Sequence, residues 1–437
     1  MRHAFRTPKP IELERYTAHL CEALGHAGRN TGWTDYCRGL MLPIERKSVE
    51  PMAAHVAPYE VSAKHQSLHH FVAKADWSDD LLLARVRDWM LPRMGLAEGA
   101  FWIIDDTGYP KKGKHSVGVA RQYCGQLGKQ DNCQVAVSLS VASEQASLPV
   151  VYRLYLPEEW AKDPKRRKKA GVPEEVKFQT KPQIALEQVR QALASGLAVG
   201  PVLADAGYGS DTSFREELTR LGLAYSVGVQ PGVSVWAPGV EPLPPKPRQT
   251  MGRPPTRLRR GPGHQPLSVK ALAFGLDAGA RRDICWREGS AGKMNSRFAA
   301  VRVRPAHRDA DWQCPRDQEW LLIEWPKDDP EPRKYWLSTL PASAKLDALV
   351  KTTKMRWRIE RDYQELKQEF GLDHYEGRGW RGFHHHATLC IAAYGFLATQ
   401  RLMPRGVKKT VAYGGAVHLL DEKLPVCLPS RAGRSGR

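Results

Sequence analysis

Between residues 101 and 229 the spacing of apolar residues changes period in a fixed order, and that order constrains the fold more than any other feature of the chain. FWIID (101–105) is a short apolar run ending in acid. CQVAVSLSVA sets Val135, Val137, Leu139 and Val141 two apart, and LPVVYRLYL does the same with Leu148, Val150, Tyr152, Leu154 and Leu156. Three such runs in succession, with turn residues between them, predict an antiparallel meander. A helical stripe of Leu186, Val189, Leu193 and Leu197 follows and closes near Gly196 and Gly200. PVLAD (201–205) is a second buried strand ending in acid. DTSFREELTRLG is then a capped helix ending at Gly222, and AYSVGV another strand.

The order β-β-β-α-β-α-β is that of a ribonuclease H-like core, an α/β fold of mixed α+β type with helices packed on a mixed sheet. The flanks divide the chain further. Residues 1–95 predict a helical N-terminal domain with a possible DNA-binding role, as in ELERYTAHLCEALGH and SDDLLLARVRDWMLPRM, the latter capped by Ser78-Asp79-Asp80. Residues 96–232 form the first part of the core. Residues 233–335 predict a basic, proline-rich loop and a β-rich insertion, with strands SVKALAF, DICWRE, RFAAVRVR and EWLLIEW. In the loop, Gly252-Arg253-Pro254 faintly resembles an AT-hook core. Trp286, Trp312, Trp320, Trp325 and Trp336 are expected mainly as core aromatics, with one or two free to stack on an unpaired base. Residues 336–403 complete the core, beginning with the strand KYWLSTL that leads back to it, and 404–437 are a basic C-terminal tail.

Lys and Arg number 66 against 47 Asp and Glu, a net charge of +19. Such an excess points to a polyanionic partner, because cations on phosphates release condensed counterions. No apolar run reaches the roughly 18–20 residues that span a bilayer, and the N-terminus has no apolar signal region, so a cytoplasmic protein without a membrane partner is expected. The eight cysteines are scattered without a C-x-x-C pair, which argues for reduced thiols over a zinc or disulfide framework.

Phosphodiester chemistry needs an activated oxygen nucleophile and a stabilised leaving oxygen, and two hard divalent ions on carboxylates supply both. Asp105-Asp106 closes the first strand and Asp205 the fourth. A third acid is expected on the helix KMRWRIERDYQELKQ, whose buried stripe is Ile359, Tyr363, Leu366 and Phe370, with Gly371 to end it. Arg356, Glu360, Gln364 and Lys367 then share another face. Spacing alone leaves a solvated surface open there.

WRIERDYQELK resembles the Y-(2)-R-(3)-E-(6)-K signature of bacterial insertion-sequence transposases of the DDE superfamily, with Arg356, Glu360 and Lys367 at three of its positions and Thr353 where the Tyr would stand. IIDDTGYPKKGKHSVGVARQYCGQLGKQDNCQVAVSLS resembles the first-Asp block of that group, and VLADAGYGSDTSFREEL the second. The resemblance, to a branch with an inserted β-domain, implies that Asp106 (with Asp105 in reserve), Asp205 and Glu360 bind two Mg²⁺ or Mn²⁺ ions. Glu365, Glu369 and Glu376 stand in reserve as third acids but lack the Arg and Lys at signature spacing. Arg356, Lys367, Lys111, Lys112 and Lys114 would contact DNA phosphates. The implied activity is cleavage at element ends and strand transfer into target DNA, by a homodimer assembled on double-stranded DNA in the bacterial nucleoid. The alternatives are an inactive DNA-binding descendant and a nuclease without strand transfer.

PKRRKKAG (164–171) is either a phosphate-binding loop or solvated surface. His384-His385-His386 is expected as a helix-start surface or a phosphate contact rather than structural zinc.

Overall fold

The computed structural model describes residues 10–247, 255–289 and 292–402. The Gly252-Arg253-Pro254 segment and the 404–437 tail lie outside the described residues. The N-terminal stretch forms α1 (Pro10–Cys21), α2 (Asn30–Met41), α3 (Val49–Val56), α4 (Val61–Ala73) and α5 (Asp79–Met90). Next come β1 (Phe101–Pro110), β2 (Ala120–Cys124), β3 (Lys129–Ala142) and β4 (Ser147–Leu154), then α6 (Glu158–Ala161), α7 (Pro164–Ala170) and α8 (Lys181–Ala194). Beyond them run β5 (Val202–Ala204), α9 (Ala206–Gly209), α10 (Thr212–Arg220), β6 (Tyr225–Val229), β7 (Ser234–Trp236), β8 (Leu267–Ser268) and α11 (Val269–Phe274). The chain continues through β9 (Arg282–Gly289), β10 (Gly292–Pro305), β11 (Glu319–Glu324) and β12 (Lys334–Ser338) into α12 (Leu346–Lys354), α13 (Trp357–Gln368) and α14 (Trp380–Leu402). The fold is mixed α/β, and the expected strand and helix order is present with one extra short strand, β2, and three extra short helices, α6, α7 and α9.

Two compact units are drawn from discontinuous stretches: Met1–Gly99, Asp105–Leu197 and Arg358–Arg437 make the first, Ala100–Ile104 and Ala198–Trp357 the second. In the first, β3 pairs antiparallel with β2 along its early half (Ala120 opposite Cys133) and with β4 along its later half (Ala136 opposite Leu154). Helix α8 lies on β3, with Ile184, Ala185, Leu186, Gln188, Val189 and Ala192 buried. Of the predicted leucine stripe, Leu186 and Val189 are buried, Leu193 is half-buried, and Leu197 lies beyond the helix end at Ala194. Gln188 enters the core because its amide donates to Val137 O at 2.9 Å.

The N-terminal helices pack around α14. Tyr16 Oη donates to Ala392 O at 2.7 Å, and α5 turns Leu82, Leu83, Val86 and Met90 inward. Ser78 fixes the start of α5 by accepting the Leu81 N–H. The histidine triplet corrects an expectation: His384, His385 and His386 are buried at 7%, 3% and 1% exposure, not on a helix-start surface. Each is held by partners distant in sequence. Leu154 N–H donates to His384 Nε2, the His385 ring stacks on Trp77 with centroids 3.6 Å apart, and His386 Nδ1 lies 2.9 Å from Tyr36 Oη. Burial lowers the pKa of all three, to about 4 for His385 and His386.

In the second unit, β1 and β5 run parallel with Trp102 beside Val202 and Ile103 beside Leu203, and β5 is parallel to β6. KYWLSTL forms β12, which pairs antiparallel with β6, and two strands from the expected insertion extend the same sheet, β11 beside β12 and β10 beside β11. SVKALAF is the exception. Ser268 accepts the Ala271 N–H and caps α11, so most of this run is helical, with Val269, Leu272 and Ala273 buried. Arginine guanidinium groups lie over Trp325, Trp312 and Trp320, at 3.6, 4.4 and 5.0 Å from the ring centroids.

Candidate active site

Asp105 and Asp106 do not close β1 as expected. They lie mid-strand, and the strand runs on through Thr107, Gly108 and Tyr109, all buried, to Pro110. Asp105 Oδ1 accepts the Asp106 N–H at 2.9 Å. Asp106 Oδ2 stands 3.1 Å from Lys181 Nζ, with the two side chains 26% and 29% exposed.

Asp205 directly follows β5, as expected, and caps α9: its Oδ1 accepts the Gly207 N–H at 2.8 Å and the Tyr208 N–H at 3.4 Å. The turn is pressed onto β6, since a Cβ at Gly209 would stand 2.1 Å from Gly228 O. Only glycine allows that approach, which fixes where the Asp205 backbone sits.

Glu360 is exposed in the first turn of α13, and the rest of that helix is bolted to the first unit. Ile359 and Leu366 are fully buried. Tyr363 Oη donates to Asp105 O at 3.1 Å and is 2.8 Å from Ser138 Oγ. The buried Asp362 carboxylate accepts hydrogen bonds from Ser140, Ser147 and Tyr394. Burial pushes its pKa up to about 6 against the opposing pull of those donors. Glu365, also buried, is held by Arg361 and Arg401, each at 2.6 Å. Tyr363→Phe removes a buried donor shared by β1 and β3. It is expected to cost about 1–2 kcal/mol, measured by urea denaturation, with an unchanged midpoint counting against this tether.

The reserve acids separate by environment. Glu365 is engaged as above, Glu376 pairs with Arg46, and Glu369 is exposed. Among the cations, Lys112 and Lys114 are exposed, while Lys111 Nζ donates to Tyr375 O at 2.8 Å. Lys367 Nζ donates to Gly108 O at 2.8 Å and Gln126 Oε1 at 3.0 Å, pinning α13 to β1. Burial lowers the pKa of Lys111 and of Lys367. Arg356 is not on the helix of Glu360, because a turn at Met355–Arg356 separates α12 from α13. Thr353, at the signature's Tyr position, is buried with its hydroxyl 2.6 Å from Ser226 Oγ.

The sequence did not single out Lys181 or Asp362. Lys181 had one available signal, a cation in a first helical turn that holds no acid. Asp362 had none, since its partners lie far away in the chain.

Asp106, Asp205 and Glu360 are all-oxygen donors that solvent can reach, the chemistry that hard divalent ions require. Among the described residues no group of three or more His, Cys, Asp or Glu side chains is gathered as a metal site.

Residues 19–293 match the family of DDE superfamily endonucleases. That span, more than half of the chain, contains Asp105, Asp106 and Asp205 and ends before α13. A probable transposase for insertion sequence element IS701 from Microchaete diplosiphon is 32% identical over 193 residues, which are 44% of this chain and 47% of that protein. The chain thus spans about half the length of this curated relative. With the family match covering both strand-borne acids, the chain belongs to the DDE superfamily endonucleases.

Proposed function

We propose that the protein is a DNA transposase that cuts at the ends of its element and joins the freed 3′-OH to target DNA. Asp106, Asp205 and Glu360 are the carboxylates that would hold two divalent ions, Mg²⁺ or Mn²⁺. The observation that carries the reading is the parallel pair of the second unit. Ile103 stands beside Leu203, and each strand passes within three residues into an acid of the family-matched span. Glu360 rests on separate support, the Arg-Glu-Lys spacing and its exposed place on a helix whose acids at 362 and 365 are buried and engaged.

When bound, the two ions would supply charge for water activation on one side of the phosphodiester and for the leaving oxygen on the other. The chain's own residues orient and bind. Backbone N–H groups hold one Asp205 oxygen, so its carboxylate has a fixed direction. Tyr363 and Lys367 hold α13, and with it Glu360, on β1. Lys112, Lys114 and Arg356 bind DNA phosphates, while Lys111 and Lys367 act through the backbone carbonyls they hold. The substrate is double-stranded DNA carrying the element's terminal repeats, engaged by a homodimer in the bacterial nucleoid.

The test is a labelled duplex of the DNA flanking the gene, incubated with protein and Mg²⁺ or Mn²⁺. Metal-dependent 3′-OH ends followed by joined products support the transposase. Cutting without joining would replace it by a nuclease, and binding without cutting under either metal by a DNA-binding descendant.

A further inference from the structure

We infer that Lys181 is a further residue of this site: a resident cation that competes with divalent ions for Asp106 and, once displaced, holds a DNA phosphate. The inference rests on the reading of Asp106 as a metal-binding carboxylate.

The pair is specific in place. Lys181 Nζ is 3.1 Å from Asp106 Oδ2, and both side chains are about three-quarters covered, within reach of an entering ion yet shielded from bulk screening. An ammonium on Oδ2 and a divalent ion on the same oxygen repel each other, so entry of the ion requires the ammonium to move. Lys181 is built to move without disturbing the backbone. It is the first residue of α8, whose start is fixed by Thr180 accepting the Gln183 N–H while Gln183 accepts the Thr180 N–H. Only the four-carbon stem swings.

Helix stability does not explain a lysine here. A cation in the first turn opposes the helix dipole, and α8 has no acid in that turn to compensate. Asp106, from a different element, supplies the compensation. Where the ammonium goes is indicated by the connection it ends. Between β4 and α8, Lys165, Lys168 and Lys169 are exposed and, among the described residues, have no acidic partner at ion-pair distance. Arg167, by contrast, is spent on the carbonyls of Pro173 and Val176 and shapes the loop. A segment with three uncompensated lysines leading to Lys181 suits a phosphate backbone.

The test uses the full chain and reads free Mn²⁺ by electron paramagnetic resonance, without DNA. Lys181→Gln is expected to tighten Mn²⁺ binding about five-fold, the size of a modest ion pair removed. Lys181→Arg should restore the wild-type affinity. Lys129→Gln, which removes the same charge from an exposed pair with Asp131, should change nothing. In duplex binding with metal present, Lys181→Gln should reduce the logarithmic salt slope by about one. Mn²⁺ binding by Lys181→Gln equal to that of Lys129→Gln, or an unchanged salt slope, overturns the role of Lys181. Asp106→Asn separates the two levels: if it binds Mn²⁺ and cuts like wild type, the reading of Asp106 itself falls.

Discussion

Glu360→Gln is expected to lose metal-dependent DNA cutting by more than about 100-fold, because even an outer partner of a metal ligand is worth about 10–100-fold. Duplex binding and folding stability should stay at wild-type values. The substitution keeps the side chain's shape and removes its charge at an exposed position, where changes usually stay within about 0.5 kcal/mol. Asp205→Asn should behave alike, since an amide oxygen can still accept from Gly207 and Tyr208. Asp106→Asn completes the set, and Asp105→Asn tests the reserve assignment. Glu365→Gln is the informative contrast on the same helix. It weakens two ion pairs around a buried carboxylate, so it should cost on the order of 3 kcal/mol of stability. The fraction that remains folded should still cut. Rates on a labelled element-end duplex, paired with urea midpoints, decide the matter. Cutting by Glu360→Gln at the wild-type rate would remove it from the site, and loss of cutting by a stably folded Glu365→Gln would transfer the role.

What the sequence revealed and what it hid follow one physical division. Period carries local structure, so β3, β4, α10 and β6 could be placed from the alternation or stripe of their own side chains. The buried stripe of α13 was legible for the same reason. Features set by partners distant in the chain were not. The run Asp105-Asp106-Thr107-Gly108 has turn chemistry by composition, yet it stays extended. Tyr109 beyond it is buried with its hydroxyl on Tyr152 and its ring edge-on to Phe383. No glycine or proline marks the break at Met355–Arg356, so a single helix carrying Arg356 and Glu360 was the natural expectation. Lys181 and Asp106 are 75 positions apart. Spacing on one helix face cannot find a cation that another element supplies. The histidine triplet is the same case: three polar residues opening an apolar run suggest a surface, and partners more than 200 positions away, Tyr36, Val72, Trp77 and Leu154, make them interior.

That interior placement makes acid sensitivity the second large expected effect. His386 is suited to the neutral ring: Tyr36 Oη can donate to Nδ1 at 2.9 Å while Nε2–H donates to Gly371 O at 2.9 Å. Burial lowers its pKa to about 4, whereas the unfolded imidazole titrates near 6.5. Between those values the unfolded chain binds a proton that the folded chain does not. Stability therefore falls as pH drops from about 6.5 to about 4 and is independent of this group above that window. For His386 alone the loss is about 2 kcal/mol at pH 5 and roughly 3 kcal/mol at pH 4. His385, also lowered to about 4 by burial, adds in the same direction. Asp362 acts oppositely, because its folded pKa is raised to about 6, so its contribution is present at low pH and lost as pH rises through 6. Total acid sensitivity mixes the two signs, and the histidine part has to be isolated by substitution. His386→Gln should be less stable than wild type at pH 7.5, having lost part of the Tyr36–Gly371 bridge. Its further loss on going to pH 5 should be smaller than that of wild type by about 2 kcal/mol. Urea midpoints of both proteins at the two pH values measure this difference. Equal pH slopes would mean that His386 takes up its proton in the folded protein as readily as in the unfolded chain, and the bridge between α2 and the Gly371 turn would then have to accommodate a charged ring at pH 5.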